Sequence, residues 1–240
     1  TDYSALAEKM KGKVPNEVTH THINGNNETN LRRTLTIRTT PIAIGIPMDE
    51  LMFSKFFSNI ICLSIMPWDG FLTTASTLVH QARNTIHDLY LDKSTHPYLL
   101  MLDSDVIPPF DLIEKLLMDN KPVVGGWYKK KEEFEVVSKE GERRIIQRPT
   151  VYDYGRYDEA KKHHFYNQRM KPGQGLEKVD AMGAGCWLVK REVAEAVGHS
   201  PFNLNESGED MCFCRAVQKA GYDVWVDWNL ECGHAGVFVV

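Results

Sequence analysis

The stretch HPYLLMLDSDVIPPFDLIEKLL, residues 96–117, ends an apolar run on two aspartates that are two positions apart. A short apolar run that is bounded by turn residues is typical of a buried strand. Asp111 and Glu114 flank the start of the following apolar segment and predict a capping box and a helix there. Asp103 and Asp105 are therefore expected at the carboxyl end of a buried strand. Because side chains at i and i+2 of an extended segment point the same way, both carboxylates are expected to face one spot.

Strand and helix patterns alternate on both sides of this stretch. The predicted strands cover 41–47, 61–66, 97–105, 121–128, 179–190 and 222–228. The predicted helices cover 50–60, 73–93, 112–119, 191–197 and 208–221. Such alternation indicates a doubly wound sheet. We therefore expect an α/β fold with a mostly parallel, Rossmann-like central sheet flanked by helices.

The chain divides into a polar arm and one larger domain. Residues 1–38 are rich in Asn, and Asn24 followed by Gly25 predicts a hairpin. Residues 39–240 are expected to form a single domain. Within it, residues 129–178 are charged and aromatic, which predicts an insert with a hairpin around Gly141 and then a long loop.

The composition is ordinary for a soluble globular protein. Hydrophobic residues make up 42% of the 240 residues, charged residues 25%, and the formal net charge is −4, which does not favour a general polyanion binder. Five cysteines, an odd number, favour a reduced protein over a disulfide scaffold. Cys212 and Cys214 lie on a predicted helix, where positions i and i+2 are about 200° apart, which favours buried structural cysteines over a zinc site. No apolar run is long enough for a membrane span, and no signal peptide is visible. We expect a cytoplasmic protein.

The carboxylate pair predicts chemistry as well as structure. Two carboxylates held close together repel, and the repulsion is relieved when one is protonated or when both bind a cation. Mg²⁺ and Mn²⁺ take oxygen ligands and are completed by substrate phosphates. A buried strand that ends in Asp-x-Asp therefore indicates a metal–diphosphate site. The alternative is a solvated turn whose aspartates cap a helix.

Two enzyme families share this local pattern. The segment LLMLDSDV, residues 99–106, resembles the motif of haloacid-dehalogenase-like phosphatases, which implies Asp103 as a nucleophile and Asp105 as an acid/base. Two strand–helix units precede the motif here, and the later acidic cluster is SGED, both of which depart from that family's pattern.

From Pro41 onward the chain also resembles the GT-A-fold glycosyltransferases, particularly family-2-like ones. The motifs occur in the same order, as AIGIP at 43–47, ARN at 82–84, LDSD at 102–105, GED at 208–210 and GHAG at 233–236. The resemblance implies a metal-dependent hexosyltransferase that moves a sugar from a nucleoside-diphosphate sugar, UDP rather than GDP, to a hydroxyl. The resemblance implies that residues 39–240 are the catalytic domain and that the insert at 129–178 lies on its acceptor side. The acceptor could be a glycan, a lipid carrier, a protein or a modified nucleic acid. A binding module without turnover is the remaining alternative.

The resemblance also implies roles for individual residues. Mn²⁺ or Mg²⁺ would be held by Asp103, Asp105 and His234. Asp210, with Glu209 beside it, would be the general base of an inverting reaction, although both could simply cap a helix. The donor would be bound by Pro47, Met48, Asp49, Arg83, Asp103, Ser104 and Asp105. The sugar pocket would be lined by Trp127, Gly183, Ala184, Gly185 and Trp187, and for Trp187 core packing is an equal alternative.

Overall fold

A computed structural model describes residues 17–24, 27–34, 38–48, 54–75, 78–132, 134–137, 143–160, 163–204 and 208–235. The strands of these residues are β1 Glu17–Asn24, β2 Asn27–Thr34, β3 Ala43–Met48, β4 Gly70–Ala75, β5 Tyr98–Leu102, β6 Val106–Ile107, β7 Val123–Tyr128, β8 Phe134–Val137, β9 Arg143–Ile146, β10 Val151–Asp158, β11 His163–Gln168, β12 Leu176–Val179, β13 Ala181–Met182, β14 Cys186–Lys190 and β15 Val224–His234. The helices are α1 Ser54–Ile60, α2 Val79–Lys93, α3 Leu112–Asp119, α4 Arg191–Val197 and α5 Glu209–Lys219.

The central sheet has the strand order β12-β15-β7-β14-β5-β3-β4, and β6 pairs with β15 outside this path. Strands β4, β3, β5, β7 and β15 run in one direction, whereas β14 and β12 run against their neighbours. The prediction of a mostly parallel central sheet is confirmed. The antiparallel strand β14 lies between β5 and β7, which the apolar pattern alone did not indicate.

Helices cover both faces of this sheet. Side chains of α2, α4 and α5 pack on one face, and those of α1 and α3 pack on the other. Strand β5 serves both layers, because Leu99 and Met101 point to the first face and Leu100 and Leu102 to the second. A strand that is buried on both faces reads as a continuous apolar run, as this one does. None of the described helices has the length and apolar character needed to cross a bilayer.

The prediction of a strand at residues 61–66 is wrong. Residues 61–66 form turns and irregular backbone, and β3 pairs with β4 and β5, both later in the chain. The Asp69 carboxylate organises this segment. It accepts hydrogen bonds from the backbone N–H groups of Ile42, at 3.0 Å, and Met66, at 2.8 Å, and it pairs with the buried Arg38. The Asp69 side chain therefore accepts the backbone hydrogen bonds that, in a strand, the neighbouring strand would accept.

The start of one helix and the cap of another also differ from the prediction. Helix α2 begins at Val79 rather than at residue 73, because residues 73–75 belong to β4. Asp111 lies at the N-cap of α3, as predicted, but its side chain makes no capping hydrogen bond. It pairs instead with Lys115, one turn further along, at 2.9 Å.

The insert is more regular than predicted. The hairpin around Gly141 is present as β8 and β9, and its turn lies outside the described residues. The segment that follows is not a long loop, because β10 and β11 form a second antiparallel hairpin and β10 also pairs with β13. The N-terminal strands β1 and β2 pair as the predicted hairpin, with residues 25–26 outside the description. The domain boundaries at 38 and 39 stay a prediction.

His87 of α2 is buried without hydrogen bonds from either ring nitrogen to any described residue. Its ring makes edge-on contacts with Phe202 and Phe213, with centroids 6.3 and 6.1 Å away. Burial lowers the pKa of His87 from 6.5 to about 4, and Asp88 opposes this shift only in part. The imidazole is therefore neutral in the folded protein under conditions in which the unfolded chain would bind a proton.

We predict that acid destabilises the fold through His87. Because its folded pKa is depressed, its contribution is complete above pH 6.5 and is lost as the pH falls toward about 4. The loss totals roughly 3 kcal/mol. Urea unfolding of His87→Leu between pH 7 and 4.5 should show a shallower decline in stability than the wild type. The difference at pH 7 gives the packing cost separately, and parallel curves would contradict the prediction.

Candidate active site

Asp103 follows directly on β5 and continues its alternation. It therefore lies on the sheet face that carries Leu99 and Met101, the face covered by α2 and α5. Its backbone N–H donates to the Gly185 carbonyl at 3.0 Å, and Val106 N–H donates to the Asp103 carbonyl at 3.1 Å. The second bond closes a turn, so the chain is no longer extended at Asp105. The two carboxylates consequently have different partners, contrary to the expectation that both face one spot.

Arg83 of α2 gathers the first group of carboxylates. Its guanidinium is bonded to Asp103 Oδ2 at 2.7 Å through Nη2, and to Glu209 Oε1 at 2.9 Å and Asp210 Oδ1 at 2.5 Å through Nη1. The Arg83 side chain is 4% exposed, whereas the three carboxylate side chains are each about one-fifth exposed. The site is thus a cluster of three acids around one buried cation, open to solvent on its acidic side.

The cluster shifts the proton affinities of its members. Burial raises the pKa of Asp210 to about 6; Arg83 opposes the shift, and Glu209 and Asp103 add to it. Burial likewise raises the pKa of Asp103, against the charge of Arg83. A carboxylate whose pKa lies near 6 can both accept and release a proton near neutral pH, as a general base requires.

Asn84, the residue after Arg83, anchors helix α2. Asn84 does not reach the carboxylates; its amide donates to the Phe202 carbonyl at 2.6 Å and accepts from the Phe202 N–H at 2.8 Å. This pair of bonds ties α2 to the segment that leads toward α5. Asn84 therefore braces the helix that carries Arg83.

Asp105 belongs to a second group, beside the first. Strand β15 ends next to β6, with His234 paired to Val106, and Ala235 N–H donates to the Asp105 carbonyl at 2.7 Å. Asp105 Oδ2 lies 2.7 Å from Lys131 Nζ and 3.4 Å from His234 Nε2. Burial would raise the pKa of Asp105, but the hydrogen bonds from His234 and Lys131 lower it to about 2.

The predicted metal ligands are assembled in part. Within the residues that the structure describes, no three His, Cys, Asp or Glu side chains form a group that could hold a metal ion, since Asp103 is turned toward Arg83. Asp105 and His234 do fit a cation. His234 Nδ1 lies 2.8 Å from the Lys129 carbonyl and must donate to it, so Nε2 is the ring nitrogen that faces Asp105 Oδ2 and that a cation would use. Asp103 Oδ1 is buried and has no hydrogen-bond partner among the described residues.

The small residues between β13 and β14 pack against Tyr128. Gly185 N–H donates to the Tyr128 hydroxyl oxygen at 3.0 Å. A Cβ at Gly183 or at Gly185 would lie 2.5 or 2.7 Å from that oxygen, so both positions need glycine. The ring of Tyr128 also meets His234 edge-on, with centroids 5.0 Å apart. Gly183, Ala184 and Gly185 therefore lie between the two carboxylate groups, and Tyr128 connects them.

Other candidate residues lie elsewhere. Trp187 is fully buried against Phe213, and Trp127 is buried and donates to the Trp228 carbonyl at 3.0 Å, so neither indole lines an open surface. Both are core residues, which was the alternative for Trp187. The remaining donor-binding candidates are placed as follows: Pro47 and Met48 end β3 at the same sheet edge as Asp103, Ser104 lies in the turn, and Asp49 is outside the described residues.

Sequence reasoning missed two contacts of this site. Tyr128 ends a predicted strand at the same sheet edge as Asp103, which is a signal that the sequence contains. Lys131 lies in the charged insert, and nothing in the sequence pairs it with Asp105. That pair depends on the path of the chain after β7.

Comparison with solved structures identifies the fold. The chain is similar to A197 from STIV, with a TM-score of 0.56 and 19% identity over 82% of this chain and 86% of that one. It is also similar to GalNAc-T7 with UDP, GalNAc and Mn²⁺, with a TM-score of 0.53 and 11% identity over 83% of this chain and 44% of that one. No family model matches the sequence, and no curated protein matches it either. The prediction of a GT-A-type fold is confirmed.

We predict that removing Arg83 costs about 3–5 kcal/mol of stability, because it leaves buried carboxylates without a counter-charge. Urea unfolding of Arg83→Met at pH 7 measures the loss. Arg169→Met is the matched control. Arg169 also pairs with two carboxylates, Asp153 and Glu177, but these are 46% and 37% exposed, and we expect a cost of about 1 kcal/mol. Adding Asp103→Asn to Arg83→Met should restore part of the loss; equal losses in the two single variants would contradict this account.

Proposed function

We propose that the chain is a glycosyltransferase of the GT-A type that transfers a sugar from a nucleoside-diphosphate donor to a hydroxyl acceptor. The observation that carries the proposal is the cluster of Asp103, Glu209 and Asp210 around Arg83 at the carboxyl edge of the sheet. Ligands of open α/β sheets bind at that edge. The fold is shared with a protein whose structure contains UDP, GalNAc and Mn²⁺.

Asp210 is the proposed general base. In an inverting transfer its carboxylate accepts the proton of the acceptor hydroxyl while the hydroxyl oxygen bonds to the anomeric carbon. The bond from that carbon to the diphosphate oxygen breaks, and the electron pair leaves with the nucleoside diphosphate. Arg83 holds Asp210 in place through a 2.5 Å contact, and Glu209 shares the same guanidinium nitrogen. Fixed geometry of this kind is what general-base catalysis requires.

Asp105 and His234 are the proposed holders of Mn²⁺ or Mg²⁺. When bound, such an ion neutralises charge that develops on the leaving diphosphate. These cations commonly use one or two protein carboxylates and complete their shell with phosphate oxygens and water, so a site with two protein ligands suffices. Asp103 Oδ1 is buried and has no hydrogen-bond partner among the described residues, and Asp103 is the proposed contact of the donor ribose or of metal-bound water.

The small residues between β13 and β14 are the proposed floor of the sugar site. Ala184 N–H contacts Asp210, and Gly185 connects Asp103 to Tyr128. Their small size allows a substrate to approach the backbone closely. The two hairpins of the insert, β8–β9 and β10–β11, are the proposed acceptor side.

Binding and turnover of nucleotide sugars test the proposal. Thermal shift with a panel of UDP- and GDP-sugars should show stabilisation that requires Mn²⁺, with UDP donors the stronger. Asp105→Ala should abolish this shift. The proposal fails if no sugar nucleotide binds or reacts in the presence of metal. Hydrolysis of p-nitrophenyl phosphate that is lost in Asp103→Asn would instead favour the phosphatase alternative.

Asp210→Asn should separate binding from chemistry. We predict that it retains the Mn²⁺-dependent donor shift and loses turnover by about a hundredfold or more. In the wild type, kcat should rise with pH through about 6, because the base acts in its ionised form and its pKa is about 6. Initial rates between pH 5 and 8 measure both effects. A flat wild-type profile, or full activity in Asp210→Asn, would exclude Asp210 as the base.

A further inference from the structure

The three residues that follow β7 run across the Asp105 side of the site. Lys129 accepts the His234 Nδ1 hydrogen bond on its carbonyl at 2.8 Å, and its ammonium pairs with Glu231 at 2.8 Å. Lys131 places its ammonium 2.7 Å from Asp105 Oδ2. One short segment thus contacts both residues that would hold a cation.

The ammonium of Lys131 is bound to Asp105 Oδ2, the oxygen that a cation at this site would bind. Asp105 Oδ2 is also the oxygen that faces His234 Nε2, at 3.4 Å. A cation held by Asp105 and His234 together would therefore have to take the place of the Lys131 ammonium, which lies 2.7 Å from the same oxygen.

We propose that Lys131 is a built-in competitor of the divalent cation at Asp105, so that metal binds weakly alone and tightly together with the donor diphosphate. This inference rests on the proposed function, whose metal site it regulates. It concerns the order in which metal and donor bind, which the cluster around Arg83 does not determine.

The side chain of Lys131 can move without disturbing the core. It is 46% exposed, and its partner Asp105 is 30% exposed. Lysine carries a compact charge on a flexible four-carbon stem, so it can exchange one anion for another at small cost. A metal ion alone displaces the ammonium and gives it no new partner. A metal ion with a diphosphate brings negative charge to the same place, and the freed ammonium can pair with it.

Such an exchange couples the two ligands. If the diphosphate raises the affinity for metal, the metal raises the affinity for the diphosphate by the same factor. The coupling through Lys131 should vanish when its charge is removed. Lys130 offers a matched control, because it is also exposed and one residue away, but it pairs with Glu132 at 3.0 Å rather than with Asp105.

Calorimetric titration of Mn²⁺, with and without UDP, tests the inference in four proteins: the wild type, Lys131→Met, Lys131→Arg and Lys130→Met. We expect Lys131→Met to bind Mn²⁺ alone about fivefold tighter than the wild type, a change typical of losing one partly exposed charge pair. The enhancement of Mn²⁺ affinity by UDP should shrink by the same factor. The Mn²⁺ affinities of Lys131→Arg and Lys130→Met should match that of the wild type within about twofold. Lys131→Arg keeps the positive charge at Asp105, and Lys130 does not pair with Asp105.

The outcomes separate this inference from the proposed function. Mn²⁺ affinity that is unchanged in Lys131→Met, or raised equally in Lys130→Met, overturns the role of Lys131 even if UDP binds. Tighter Mn²⁺ binding in Lys131→Met alone supports that role, and it does so even if UDP binds none of the proteins, which would count against the proposed function. Thermal unfolding of each variant verifies that the exposed substitutions leave the fold intact.

Discussion

The guanidinium of Arg83 compensates three carboxylates that the fold brings to one place, and the rest of the site depends on this compensation. Three carboxylates this close together and removed from water would repel each other, and some of them would take up a proton. One buried cation lets Asp103, Glu209 and Asp210 share a site while each stays partly open to solvent. The same contacts connect α2 to the end of β5 and to the start of α5, so the charge cluster also holds these three elements together.

The two aspartates of the Asp-x-Asp motif are assigned to different tasks by a single turn. The hydrogen bond from Val106 N–H to the Asp103 carbonyl ends the extended backbone between them. Asp103 stays with the buried cation Arg83, whereas Asp105 meets His234 and the exposed cation Lys131. One aspartate is therefore paired with a buried cation and the other with an exposed one. That difference suits the proposed roles of the two groups, a rigid general base and a cation site that ligands can reach.

The carboxylate pKa values of the two halves of the site are shifted in opposite directions. For Asp210 burial dominates, and its pKa rises to about 6 in spite of Arg83. For Asp105 the hydrogen bonds of Lys131 and His234 outweigh burial, and its pKa falls to about 2. A base that can be protonated near neutral pH and a carboxylate that stays ionised are the two properties that acid–base chemistry and cation binding need.

The sequence by itself determined the strand of residues 98–102, the helices around it and the position of Asp103 at the carboxyl edge, because periodicity and turn chemistry are local properties of the chain. It did not separate a strand from a buried turn at residues 61–66, since both are apolar. Only the tertiary structure decided the partners of the charged groups. Arg83 meets Asp103 across 20 positions and Asp210 across 127, and Lys131 meets Asp105 across 26. Contacts at such separations depend on how the strands are ordered and paired, and this ordering is set by packing of the whole sheet rather than by any local pattern.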